Sequence, residues 1–486
     1  MKKTRSICPV CQMVIVADVI REGGKVLIRK TCNEHGTFED VYWSDAASFE
    51  RFERFGHDGR GVSNPMVGEW EGCPYDCGLC AEHLTTTILA NIDLTNRCNQ
   101  RCPICFANAA AAGFVVEPTF KEVERMLKVL RDERPVPCPA VQFAGGEPTL
   151  REDLPEIIRM AKEMGFSQVQ VATNGIKLAK DIEFCKKIAD AGLNTVYLQF
   201  DGLRKEIYEK VRGYNALPTK LNAIENCRKA GLKSIVLVQT LAKDLNDDQI
   251  GPMLEFAAAN RDVVRGINVQ PISFAGRTDV EEVQRMRITI PDFMRLVEEQ
   301  TGGEITKDDF YPVPFVVPIS HLIARWKDAP QIEFTVHPHC GAATYIFIED
   351  DRYIPITRFI DVEGLMEFFE EEAGREYELG DHLKIIKDLI EKIPRFVDKE
   401  RSPLKIDVIK LLVNVLKEGS TGALAEFHHN TLFLGAMHFQ DVYNFDLERV
   451  KRCGIHYAIP DGRVIPFCTY NTIHREKVER KFAKTS

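Results

Sequence analysis

Between about residues 88 and 275 the chain alternates short β-branched or apolar runs with longer stretches in which apolar positions recur every three to four residues. The runs at 89–94, 140–143, 168–172, 195–200, 234–239 and 266–270 predict strands, and 120–131, 154–164, 179–191, 217–230 and 248–260 predict amphipathic helices. Strand and helix in turn predict a mostly parallel sheet of βα units, an α/β fold. Ahead of it, 13–20 and 26–30 around Gly23-Gly24 predict a strand-turn-strand. After 275 the alternation stops: Pro291 opens a helix to Glu299, and Gly302-Gly303 breaks it. Residues 309–318 (DFYPVPFVVP) carry too much proline for a central strand or a helix. That apolar stretch reads either as the lining of a hydrophobic channel or as packing across the open end of the βα units. Residues 404–416 predict a helix with an unusually wide apolar arc, which fits a buried core helix as well as one that lies on a membrane or shapes a lipid pocket.

Composition narrows the classes. A length of 486 residues predicts two to four domains. The net charge is −9, from 63 basic and 72 acidic residues, and no long basic run occurs, which argues against a nucleic-acid partner. The N-terminal MKKTRSICPVC has basic residues but no apolar segment behind them, unlike a signal peptide. No apolar run approaches the ~20 residues of a bilayer-spanning helix. The expected location is the cytoplasm, with peripheral membrane contact left open.

The 15 cysteines change the picture most, because they cluster at metal-ligand spacings rather than scatter as disulfide partners would. Cys98, Cys102 and Cys105 form a CxxxCxxC loop (NRCNQRCPIC) straight after the first βα strand. Three thiolates so placed hold three irons of a 4Fe–4S cube and leave the fourth iron open to an outside molecule. Cys73, Cys77 and Cys80 repeat the spacing without a preceding strand, and read as ligands of an auxiliary cluster. His83 is a candidate fourth ligand, or a surface histidine. Cys8, Cys11 and Cys32 suit mononuclear iron or zinc, with His35 either as fourth ligand or as part of a His-Gly turn. Cys340, Cys453 and Cys468 are far apart, but the turn at Pro460-Asp461-Gly462-Arg463 would bring the last two together, and the three read as a second auxiliary cluster, with zinc or free thiols as the alternative. Cys185 and Cys227 fall inside predicted helices and Cys138 at the far end of a strand, and none of them is a site candidate.

The cysteine loop and Gly145-Gly146-Glu147-Pro148 one βα unit later resemble the radical S-adenosylmethionine (radical SAM) superfamily. Phe106 takes the place of that family's aromatic neighbour. The resemblance implies a partial (β/α)6 barrel over 88–275, flanked by a small metal module (1–65), an auxiliary cluster loop (66–87) and a C-terminal auxiliary cluster and substrate-pocket domain (276–486). It also implies a cluster that binds S-adenosylmethionine, whose amine meets the backbone of Gly145, Gly146 and Glu147, and an electron donor such as ferredoxin or flavodoxin. Active-site groups sit at the C-terminal ends of βα-barrel strands. That rule nominates Asn174, Asp201, Gln239 and Gln270 as cofactor contacts, against strand capping and Asn-Gly or Asp-Gly turns.

Across nearly its whole length the chain further resembles the archaeal tetraether lipid synthases, through CPxC…CxxHG, GCPxDCGLC, FAGGEPT, ATNG, QFDG and the ending MHFQDxYNxDxxRxxxCGIHYxxPDGRxIPFCxYN. That family carries three 4Fe–4S clusters and a rubredoxin-like iron, and joins the terminal sp3 carbons of isoprenoid chains of archaeal diether lipids after hydrogen abstraction by a 5′-deoxyadenosyl radical. Such coupling needs a dry pocket. The alternative is a radical SAM methyltransferase acting on a pterin precursor, which needs a polar one. A non-enzymatic metal scaffold is disfavoured by the GGEP motif.

Overall fold

The computed structural model describes residues 2–68, 70–105, 113–273, 285–375, 382–404 and 430–483, with positions 107, 407, 409, 410 and 427 besides. Phe106 and most of the apolar helix expected at 404–416 lie outside the described residues. Four strands, β1 (Lys2–Ile7), β2 (Val14–Glu22), β3 (Lys25–Cys32) and β4 (Gly36–Trp43), form an antiparallel sheet in chain order. Gly23 and Gly24, both at positive φ, make the two-residue turn between β2 and β3. The helix α1 (Ala46–Glu53) follows, capped by the Asp45 carboxylate, which accepts from the amides of Ala47 and Ser48.

A second sheet holds all the other strands. Six of them, β5 (Leu89–Thr95), β6 (Ala140–Gly145), β7 (Gln168–Thr173), β8 (Thr195–Gln199), β9 (Ile235–Leu241) and β10 (Val264–Pro271), run parallel side by side in chain order. They coincide with the six predicted runs. The helices α2 (Phe120–Arg131), α3 (Leu154–Glu163), α4 (Ile176–Lys180), α5 (Ile182–Asp190), α6 (Lys205–Arg212), α7 (Leu217–Lys229) and α8 (Ile250–Ala259) connect them. The pattern at 179–191 is two helices, divided at Asp181, whose side chain caps the second by accepting from the Phe184 amide. The sequence of α6, KEIYEKVR, is too charged to announce itself, yet it buries Ile207, Tyr208, Val211 and Arg212. Strand pleating sorts the residues: Val141, Phe143, Val169, Val171, Val196 and Leu198 are buried in the main core cluster, while their strand neighbours point into the barrel.

The C-terminal third supplies β11 (Tyr311–Pro312), β12 (Gly341–Glu349), β13 (Arg352–Pro355), β14 (Leu432–Met437), β15 (Ile455–Ala458) and β16 (Val464–Pro466). Two of them extend the barrel sheet at its opposite edges. β14 pairs in parallel with β10, and β15 in parallel with β5, so the sheet continues through both expected domain boundaries. β16 folds back on β15 across the predicted Pro460–Arg463 turn. The proline-rich stretch is corrected. It forms β11, a 3-10 turn (Val313–Val316) and the start of a helix, Val317–Lys327, with Pro318 in its first turn where its missing N–H costs nothing. Phe315 joins Phe347, Phe359, Leu365 and Phe369 in a separate core cluster. No helix among the described residues is long and apolar enough to cross a membrane.

Candidate active site and metal centres

The loop carrying Cys98, Cys102 and Cys105 leaves the C-terminal end of β5 and is tied to the end of β6 by backbone. The amide of Gly146 donates to the Thr95 carbonyl at 2.7 Å and that of Glu147 to the Arg97 carbonyl at 2.9 Å. Gly145 has φ 125°, and a Cβ there would run into the Thr95 carbonyl oxygen. One on Gly146 would meet the Arg97 carbonyl. Only glycines let the two segments approach this closely. The Glu147 carboxylate is buried and spent on structure: it accepts from Thr149, from the Thr173 hydroxyl at 2.8 Å and from the Asn174 amide at 2.8 Å, joining the ends of β6 and β7. The Asn174 side chain donates to Asn99 at 2.7 Å in the cysteine loop.

These groups wall a cavity of about 260 Å³ that holds all three thiols, Gly145, Gly146, Glu147, Asn174 and Gln270. Burial pushes the Cys98 thiol up to about 11 and raises that of Cys102. The donor set fits the iron–sulfur cluster the class requires. Three thiols share one wall, the Gln100 amide donates to Cys98 Sγ at 3.4 Å, and among the described lining residues there is no fourth cysteine and no histidine. A fourth iron would therefore face the cavity.

Two nominated residues stand elsewhere. Gln239 neighbours Thr240 on β9, and because successive strand residues face opposite ways Thr240 lines the cavity while Gln239 is turned into the protein and donates to the Asn246 carbonyl at 3.2 Å. Asp201 is fully buried behind the wall, and both its oxygens accept from Arg212 at 2.7 Å. Arg212, from the unanticipated helix α6, is the residue that lines the cavity. Its Nη1 also donates to the Ile104 carbonyl in the cysteine loop at 3.3 Å. A polar residue at a strand end was a usable signal for Asp201; nothing local marked its partner.

Inside the barrel a belt of amides crosses the strands. Gln142 donates to Asn91 at 2.6 Å, Gln170 donates to Gln142 at 2.8 Å, and Asn268 and Gln270 both donate to the Tyr197 hydroxyl, the latter at 3.2 Å. Below Asn174, buried Lys220 donates to its carbonyl at 2.6 Å.

Nine of the other cysteines form three groups, and Cys138, Cys185 and Cys227 are buried apart from them. Cys8, Cys11, Cys32 and His35 bring their ligand atoms within 4.8 Å of one another, the closeness a single ion requires. The His35 Nδ1 lies 3.5 Å from Cys32 Sγ and 3.8 Å from Cys8 Sγ, and the hydrogen bond from His35 holds the Cys32 thiol below its usual value. Cys73, Cys77 and Cys80 line a pocket with His83 and Lys451. His83 is buried rather than on the surface. Its Nε2 lies 2.8 Å from the Cys453 carbonyl and 3.1 Å from His456 Nε2, and burial pushes its pKa down to about 4. Cys340, Cys453 and Cys468 are electrostatically coupled but are not a single-ion set, and burial pushes Cys468 up to about 11.

A parallel half-barrel with three thiols and a glycine pair at one mouth is the arrangement of a radical SAM enzyme, and residues 92–257 match the radical SAM superfamily model. Residues 1–44 match the HMPTM N-terminal zinc ribbon domain. The chain is 52% identical to the 7,8-dihydro-6-hydroxymethylpterin dimethyltransferase of Methanocaldococcus jannaschii, over 99% of this chain and 96% of that one, and it belongs to that protein's family. A GTP 3′,8-cyclase of Clostridium acetobutylicum is 25% identical across 47% of this chain and 73% of its own. Among solved structures, Streptococcus suis SuiB bound to S-adenosylmethionine covers 45% of each chain at 19% identity, with a TM-score of 0.35. The near full-length pterin relative overturns the expectation of a tetraether lipid synthase and of an archaeal diether lipid as substrate.

Proposed function

We propose that this chain is a radical SAM methyltransferase acting on 7,8-dihydro-6-hydroxymethylpterin or a close pterin analogue. The observation that carries this reading is the 52% identity to a dimethyltransferase of that pterin over essentially both chains. The barrel interior supports it. A pterin presents a rim of N–H donors and carbonyl and ring-nitrogen acceptors, and side-chain amides offer both partners. Alkyl chains would offer no partner to the amide donors and acceptors that the belt does not use on itself, at a cost of about 1–3 kcal/mol per buried group.

In this reading Cys98, Cys102 and Cys105 hold the 4Fe–4S cluster, which when bound passes one electron to S-adenosylmethionine so that its cleavage yields the hydrogen-abstracting 5′-deoxyadenosyl radical. The backbone at Gly145 and Gly146 accepts hydrogen bonds from the methionyl amine. Arg212, held by Asp201, places a fixed positive charge beside Cys102. Gln142, Gln270 and Tyr197 orient the pterin ring. Cys73, Cys77 and Cys80, and separately Cys340, Cys453 and Cys468, hold auxiliary clusters, and Cys8, Cys11 and Cys32 with His35 hold one zinc or iron. A ferredoxin or flavodoxin supplies the electron.

The test is anaerobic incubation of iron-loaded protein with S-adenosylmethionine, a reductant, one-carbon donors and the pterin, with 5′-deoxyadenosine and pterin mass followed together. Deoxyadenosine that depends on the pterin, with methylated pterin formed and both lost in Cys102→Ala, is the expected result. Deoxyadenosine whose rate ignores the pterin would sink the substrate assignment.

A further inference from the structure

Arg449 is buried at 2% exposure, and no carboxylate among the described residues pairs with it. Its Nε donates to Cys340 Sγ at 3.4 Å, a terminal nitrogen donates to the His438 carbonyl at 2.6 Å, and its guanidinium lies 5.7 Å from the Tyr42 ring. A guanidinium taken out of water needs a negative charge beside it. The groups that act on it are Cys340, Cys468 and Tyr42, and the two cysteines would supply that charge as thiolates on a metal.

A fourth donor stands next to these thiols. The antiparallel ladder of β12 and β14 pairs Gly341 with Met437, and the His438 amide donates to the Cys340 carbonyl at 3.0 Å, extending the ladder by one pair. Residues directly opposite in such a ladder share a face, with Cβ atoms about 5 Å apart. His438 therefore projects on the same side as Cys340. It is 2% exposed, and neither ring nitrogen has a hydrogen-bond partner. Buried imidazole nitrogens are normally hydrogen-bonded, so a ring with both ends unpartnered, on the face that carries Cys340, has the chemistry of a metal ligand.

We propose that His438 is the fourth protein ligand of an iron–sulfur cluster held by Cys340, Cys453 and Cys468, with Arg449 as its buried counter-charge. The assignment rests on reading those three cysteines as a cluster site. A neutral imidazole in place of a thiolate makes the cluster less negative and raises its reduction potential, and Arg449 acts in the same direction. It also closes the cluster, leaving no iron open to substrate. Phe439 and Phe467, the chain neighbours of His438 and Cys468, stack at 4.2 Å and line the cavity, so this cluster would stand directly behind the cavity wall.

The experiment uses the full chain, labelled with histidine carrying the heavy nitrogen isotope and loaded anaerobically with iron and sulfide. Zinc occupies the N-terminal module so that only clusters are paramagnetic, and S-adenosylmethionine is left out. Pulsed electron paramagnetic resonance of the reduced protein should show a histidine-nitrogen coupling that is lost in His438→Ala. In His438→Cys it should be absent while the iron and sulfide content stays at the wild-type level. Superimposable wild-type and His438→Ala spectra overturn the assignment of His438. A Cys340→Ala, Cys453→Ala, Cys468→Ala triple variant with undiminished iron and sulfide overturns the cluster site itself, a separate failure.

Discussion

Asp201 and Arg212 form a bidentate ion pair, both contacts 2.7 Å, with side chains 0% and 5% exposed. They stand 11 positions apart in the chain, yet the pair links the end of β8 to the cysteine loop through the Arg212–Ile104 contact. Removing one partner of a buried pair leaves an uncompensated charge, a cost of about 3–5 kcal/mol. Asp201→Ala should lower the unfolding midpoint in thermal melts and reduce iron retained by the Cys98–Cys105 loop. A melt indistinguishable from wild type would refute the pair's structural weight.

Gly145→Ala and Gly146→Ala each push a methyl group into a carbonyl of the cysteine-loop backbone. The barrel should still form, because the clash is confined to one loop. Binding of S-adenosylmethionine to the iron-loaded protein should weaken by at least about tenfold, a loss of roughly 1.4 kcal/mol. Equilibrium dialysis measures this, and unchanged affinity would show that the close approach is not needed.

The buried apolar residues of the N-terminal module, Ile7, Ala17, Val19, Val26, Ile28, Tyr42, Trp43, Ala46 and Phe52, all belong to clusters shared with the rest of the chain. A metal held by Cys8, Cys11, Cys32 and His35 would contribute directly to the folding of its CxxC end. Cys32→Ala or a strong chelator should release one metal ion per chain and open Cys8–Cys11 to proteolysis, while the barrel melts as before. Elemental analysis and limited proteolysis report both effects.

Gln142 is the centre of the amide belt, bonded to Asn91 at 2.6 Å and to Gln170 at 2.8 Å. Gln142→Leu keeps the volume but removes the partner of the Asn91 side-chain oxygen and of the Gln170 amide nitrogen, at about 1–3 kcal/mol each. The pterin concentration needed for half-maximal deoxyadenosine release should rise well above wild type. An unaffected pterin dependence would place the substrate elsewhere.

Burial pushes the Glu133 carboxyl up to about 7, and its one hydrogen bond comes from the Thr87 amide at 2.6 Å. A carboxyl whose folded pKa exceeds its unfolded value stabilises the fold fully below the unfolded pKa, and that contribution is lost as pH rises through the folded value. Stability should therefore fall between about pH 4.5 and 7 by roughly 3 kcal/mol on this account. Glu133→Gln should flatten that part of the profile, as followed by denaturant unfolding across the range.

Local pattern fixed much of the molecule. All six barrel strands were legible because each is a short run rich in β-branched and apolar residues, alternating in β6, β7 and β8 with the polar positions that face the barrel interior. The cysteine spacings and Gly145-Gly146 were legible because metal ligation and close backbone approach constrain residues next to one another in the chain. The edge strands β14 and β15 were not, since nothing in 432–437 or 455–458 says which edge each will join. The same holds for Gln239, whose face depends on the register of the pleat, and for His83, whose burial comes from residues about 370 positions away.

The sequence by itself therefore determined a parallel βα barrel, a three-thiol loop at its mouth and an N-terminal module with metal-ligand spacing, because these rest on periodicity and short-range spacing. Only the tertiary structure decided that Arg212 rather than Asp201 faces the cavity, that the proline-rich stretch packs on its own core, and that the barrel interior is lined with amides. Those outcomes depend on which distant surfaces meet, and side-chain packing sets them rather than chain-neighbour chemistry.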